Sequence, residues 1–182
     1  MGTRWSFLVV ATVFLILNCS VAYGEEAEYV HEYVHYVNEE FEFSIDYPEG
    51  WLLEEISANM VGIKPEDSKY NQIQIGVYDA EPIIGVYEES FIVSAHETSL
   101  RRYFDALGAY ELEILVNERS SGMWDWVVRF TVIYEDTPLQ GREFIKERYI
   151  SEDEFLIYSL FYMHSEDWPE GFEVIDSFTI AG

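Results

Sequence analysis

Cysteine is almost missing: Cys19, inside an apolar stretch near the start, is the one cysteine among 182 residues. The chain beyond it therefore holds no disulfide, no thiol nucleophile and no thiolate metal site. Lysine is nearly as scarce, at Lys64, Lys69 and Lys146, and the 10 basic residues face 35 acidic ones, a formal charge of -25. Nucleic acid is excluded as a partner, because binding it requires clustered Lys and Arg to neutralise phosphates. An anionic membrane surface repels such a chain for the same reason. Cations, a basic protein or a high-salt milieu suit it better. Also missing are a phosphate-binding glycine loop, a dinucleotide fingerprint, a G-x-S-x-G nucleophile elbow, internal repeats and low-complexity linkers.

No apolar run reaches the roughly 20 residues that span a bilayer. The longest, Trp5 to Leu17, follows Arg4 and is interrupted at Asn18 and Cys19. Ala22-Tyr23-Gly24 then places small residues three and one before Glu25, so residues 1–24 read as a cleavable secretory signal. An uncleaved anchor and a lipid-modified Cys19 are the alternatives, and only they would attach the chain to a membrane. Asn18 stands where a lipobox expects a small residue. Cleavage removes Arg4 and no acidic group, leaving 9 basic against 35 acidic residues and a charge of -26.

What is present is apolar surface. The sequence is 49% hydrophobic and 17% aromatic, enough to offset the entropy of folding despite the charge. The length after cleavage suits one domain. Residues 25–40 form an acidic, Tyr- and Val-rich lead-in, and residues 41–182 the domain.

Phe41, Phe43, Ile45 and Tyr47 alternate with polar residues as a half-buried strand does. Pro48-Glu49-Gly50 turns the chain, and Trp51 plugs the core at that corner. Met60 to Ile63 and Asn71 to Ala80 read as a hairpin closed by Lys64 to Lys69. Glu81 to Ala95 is irregular. Ser94-Ala95-His96-Glu97 has capping-box spacing, and Leu100, Tyr103, Phe104 and Leu107 share a helical face that ends at Gly108. Four strands follow, over Glu111 to Glu118, Met123 to Glu135, Arg142 to Ser151 and Phe155 to Met163. Short linkers predict an antiparallel meander. Trp124, Trp126, Val128, Phe130, Val132 and Tyr134 make one period-two stripe, read as core. Asp167-Trp168-Pro169 begins a short final helix, with Phe172, Ile175 and Phe178 apolar.

One motif carries chemistry. His31-Glu32-Tyr33-Val34-His35 matches H-E-x-x-H, in which two histidines one helical turn apart bind zinc and the glutamate activates water. Glu54 or Glu55 stands at the separation of a third ligand. The surrounding tyrosines and valines, however, are better strand formers than helix formers. On a strand His31 and His35 share a face but lie about 13 Å apart. The motif reads first as part of a solvated amino-terminal segment, with a zinc metallopeptidase as the alternative. His96 and His164 read as surface residues. Glu152-Asp153-Glu154 and Glu166-Asp167 are solvated loops or, alternatively, parts of a calcium-binding module, without the twelve-residue loop of an EF-hand. No carboxylate pair stands out as a hydrolytic site.

The strand and turn Phe41-Glu42-Phe43-Ser44-Ile45-Asp46-Tyr47-Pro48-Glu49-Gly50-Trp51, the antiparallel strands after it, and the terminal Phe172-Glu173-Val174-Ile175-Asp176-Ser177-Phe178 resemble the PsbP-like family, over roughly Tyr36 to Ile180. These are extracytoplasmic relatives of the photosystem II extrinsic subunit PsbP. The resemblance implies an α+β fold, an α/β/α sandwich around a central antiparallel sheet, and a role in binding or assembly rather than catalysis. It brings no catalytic residue and no cofactor, since Pro48, Gly50, Trp51, Ser177 and Phe178 are turn and core positions. Members of that fold include photosystem accessory proteins, bacterial and archaeal secreted proteins and a nuclear-import factor, so fold leaves function open. The basic docking surface of photosystem members has no counterpart in so acidic a chain. The leading expectation is a secreted, non-enzymatic domain that binds an extracytoplasmic, basic protein.

Overall fold

Alternation at Phe43 and Ile45 does build a strand, and both side chains are buried. A computed structural model describes residues 32–181, apart from residues 80, 82, 83, 85, 151–154 and 166–167. The segment expected to be a signal, residues 1–24, and His31 lie outside the described residues.

In chain order the elements are β1 (Tyr33–Asn38), β2 (Phe43–Pro48), β3 (Trp51–Ser57), β4 (Met60–Pro65), β5 (Gln72–Asp79), α1 (Glu89–Leu107), β6 (Tyr110–Arg119), β7 (Trp126–Tyr134), β8 (Thr137–Tyr149), β9 (Phe155–His164), α2 (Pro169–Asp176) and β10 (Thr179–Ile180). Seven strands form one sheet in the order β3-β4-β5-β9-β8-β7-β6. Its pairs are antiparallel throughout, and β6 to β9 are the expected meander. A three-stranded sheet, β1-β2-β10, lies apart from it in hydrogen bonding.

Period two gives the large sheet two apolar faces. On one, Ile63, Ile73, Ile75, Tyr158, Leu160 and Tyr162 pack with Phe43 and Ile45 of β2, Val174 and Ile175 of α2, and Phe178. On the other, Trp126, Val128, Phe130, Leu139, Phe161 and Met163 pack with Ile92, Leu100 and Phe104 of α1. Helices thus stand on both sides of a central antiparallel sheet, the architecture the resemblance implies.

Within the segment expected as a lead-in, residues 33–38 form a strand. Tyr33–Asn38 pairs antiparallel with β2, Tyr33 opposite Pro48 and Asn38 opposite Phe43. Its alternating aromatic and β-branched residues suit a strand, and Tyr36 packs on Phe43 with ring centroids 6.0 Å apart. Tyr33 donates from its hydroxyl to Glu173, which ties β1 to α2.

The long helix starts at Glu89, five residues before the capping-box pattern. Glu88 caps it without a side-chain hydrogen bond, and Glu89 in the first turn is the favourable charge there. Phe91, Ile92 and Val93, expected to be irregular, are helical. Buried Ile92, His96, Leu100 and Phe104 recur every fourth residue, one narrow stripe. Gly108 ends the helix in the left-handed region, φ 76°, and donates its N–H to Asp105 O.

β3 was not anticipated. It is an edge strand with a bulge between Glu55 and Ser57, and most of its side chains are exposed. Trp51 opens it and stacks on Trp168, centroids 5.0 Å apart. Trp124 departs from the stripe that Trp126, Val128, Phe130 and Val132 share. It precedes β7 and packs across the sheet on Phe144 and Phe178, at 5.4 and 5.2 Å. The backbone leaves the two-residue period between Trp124 and Trp126, so parity no longer fixes the face.

Candidate functional site

The histidine motif runs into a strand. His35 is exposed on β1, and its Nδ1 lies 2.6 Å from Oδ1 of Asp46, its cross-strand neighbour. Glu32, described but outside any element, contributes its carbonyl to the Glu49 N–H. Glu54 and Glu55 belong to β3, in the other sheet. Among the described residues no three His, Cys, Asp or Glu side chains come together as a metal site. A zincin requires its motif on a helix, and Tyr33–Asn38 is extended. The acidic loops at residues 152–154 and 166–167 lie outside the described residues.

His96 and His164 are not surface residues. His96 is buried in the α1 stripe, edge-on to Trp126 at 5.7 Å. Burial holds its imidazole below the usual histidine range, opposed by Asn117. His164 ends β9, buried beside Tyr162 at 4.9 Å. Their positions on apolar stripes, not their neighbours in sequence, decide their burial.

The chemically distinctive place is where α1 stops covering the sheet. The helix caps the β6 to β9 half of its face. On the same face the β3-β4-β5 half lies open: register places Leu52 across from Lys64, Glu54 across from Gly62 and Gly62 across from Gln74. Leu52 is 44% and Ile56 48% exposed, apolar side chains that no helix covers among the described residues.

A cleft of about 180 Å³ marks the boundary. β5, β8 and β9 form its floor, with Gln74, Glu143, Ser159 and Phe161; Tyr78 and the α1 residue Tyr103 stand beside them. Register brings the floor together: Phe161 lies opposite both Gln74 and Glu143, and Ser159 opposite Gly76. Gly76 lets the Tyr78 ring lie against the strand, since a Cβ there would overlap that ring as it is placed.

Glu143 is the charged group of this floor. Ser159 Oγ donates to its Oε1 at 2.8 Å. Among the described residues no Lys or Arg pairs with it. Burial raises its carboxyl above the usual range, opposed by the Ser159 hydrogen bond. Tyr78 is raised by burial and then by the Glu143 charge. Tyr103 is raised by burial and then by Tyr134 and Tyr78. Parity could have found Glu143: it falls on the inward set with Leu139, Gly141 and Ile145, so an acid is written at a core position of β8.

The opposite face of β7 and β8 carries cations. Arg129 and Arg142 face one another across the strands, and Arg142 lies over the Phe172 ring at 4.5 Å. Burial, then Arg129, lowers the pKa of Arg142.

Two sheets and two helices in this order define a PsbP-like α+β domain. No family model and no curated protein matches the sequence; solved structures do. The solution structure of cyanobacterial PsbP (CyanoP) from Synechocystis sp. PCC 6803 superposes with a TM-score of 0.59 at 10% identity, over 84% of this chain and 94% of that one. The Saccharomyces cerevisiae Ran-binding protein Mog1p gives 0.51 at 8% identity, over 82% and 96%. A Bacteroides thetaiotaomicron VPI-5482 structure gives 0.50 at 12%, over 81% of this chain and 48% of that one. At such identities the likeness is one of fold.

Proposed function

We propose that the chain is an exported, non-catalytic PsbP-like domain that binds a basic protein, in the manner of an assembly or accessory factor. The observation that carries this reading is the open β3-β4-β5 face, where Leu52 and, at the bulge, Ile56 are exposed. Exposed apolar groups that line up on one rigid face mark an interaction surface. The charge of -26 after cleavage selects the partner by sign and speeds the encounter. Mog1p, with the same fold, is by its name a Ran-binding protein. Export follows from the amino-terminal pattern, with the domain released after Gly24. No helix among the described residues is long and apolar enough to cross a membrane.

A photo-crosslinking residue at position 56, in the protein as its host produces it, tests the reading. One discrete adduct with a basic extracytoplasmic protein is expected, absent when the crosslinker sits at position 170 on α2. No discrete adduct from position 56, or equal adducts from both, overturns it. Amino-terminal sequencing of the exported protein should start at Glu25.

A further inference from the structure

We infer that the cleft at Glu143 is a receptor for a primary alkylammonium group, supplied by a lysine side chain of the partner. A carboxylate withdrawn from water is costly unless it meets a cation, and Glu143 meets none within the described chain. Its surroundings supply what an ammonium recognises. Tyr78 and Tyr103 beside the carboxylate and Phe161 in the floor line it with aromatic rings, groups that attract a cation. Gln74 and the hydroxyl of Ser159 add polar groups beside the carboxylate.

Hydrogen-bond geometry favours lysine over arginine. One oxygen of Glu143 already accepts from Ser159, which takes one of the acceptor sites that a guanidinium fork would share and suits a compact point charge. The cleft opens beside the exposed face of β3 to β5, since Met60 and Gln74 belong to both. A protein lying on that face could lower a lysine into it.

The lysine source rests on the partner-binding reading, whereas the chemistry of the cleft does not. Titration of the full exported protein with n-butylammonium, read by NMR, separates the two. Shifts centred on Tyr78, Tyr103 and Ser159, saturating in the millimolar range fitting so small a ligand, are expected. Glu143→Gln should weaken binding by about tenfold or more, and Tyr103→Leu by about threefold. 1-Butanol, of equal heavy-atom count, should bind more weakly than the ammonium. Absent shifts, equal binding by 1-butanol, or a Glu143→Gln protein that binds as wild type would overturn the inference. Those results leave the crosslink from position 56 untouched, so the two readings fail separately. The second arm uses acetyl-lysine-methylamide and its Nζ-acetylated form. Binding of the first and not the second supports lysine as the source; binding of butylammonium without either reassigns the cleft to a free amine and overturns the lysine assignment.

Discussion

The two halves of the large sheet's helix-side face have the same backbone and opposite surfaces. Over β6 to β9, Trp126, Phe130 and Leu139 meet Phe104 and Leu100 of α1, and each is at most 4% exposed. Over β3 to β5 the same face presents Leu52, Glu54, Ile56 and Gln74, with no layer above them among the described residues. One half is held by burial and therefore stabilises the fold. The other contributes little to stability and so is free to be a surface for something else. Glu143 lies on the line between them, half-buried and polar.

Truncation should separate the halves most sharply. Phe130 stacks on Phe161 at 5.5 Å and contacts Phe104 at 5.2 Å, so Phe130→Ala leaves a cavity and should cost about 3–5 kcal/mol in urea denaturation. A loss under about 1 kcal/mol would show that α1 does not seal this half.

Glu143→Gln comes next, with a sign set by pH. The folded carboxyl is raised by burial, so the folded state holds its proton at pH values where the unfolded chain, titrating near ~4.3, has lost it. Stability from this site is full below the unfolded value and is lost as pH rises through the folded one. Glu143→Gln should therefore raise Tm at pH 8 and leave it unchanged near pH 3. A lower Tm at pH 8 would break the claim that the carboxylate is unpaired.

His96 has the opposite slope. Its folded pKa is lowered, chiefly by burial, so the unfolded chain takes up a proton first, below about pH 6.5. Stability from this site is intact above that value and falls as pH drops toward the folded pKa. His96→Leu should remove that part of the decline between pH 6.5 and 5, as read by comparing denaturation midpoints with wild type. The smallest effect belongs to the open half: Leu52→Ala and Ile56→Ala should each stay within about 0.5 kcal/mol of wild type.

Much of this was legible along the chain. Alternation located β2, β5 and the meander, Gly108 ended α1, and Pro169 began α2, because each signal is local and steric. Other features were not. The start of α1 has no capping side chain at Glu88, while Ser94 mimics a cap yet sits mid-helix, where its carbonyl accepts from Thr98 Oγ1 at 2.8 Å. β3 lacks alternation because little of it is buried. Pairing of β5 with β9, which assembles Glu143, Ser159 and Gln74, joins segments about eighty residues apart, and no local pattern encodes it. The H-E-x-x-H spelling was visible, but a motif acquires its chemistry from the element that carries it, and Tyr33–Asn38 is a strand.

The most direct measurement is of complex formation by a Leu52→Glu/Ile56→Glu double variant, read beside its Tm. Two carboxylates added to the open face should leave Tm within a few degrees of wild type and abolish the discrete complex with the basic extracytoplasmic protein. Retention of that complex by a folded double variant would contradict the claim that the open half of the sheet is the binding surface.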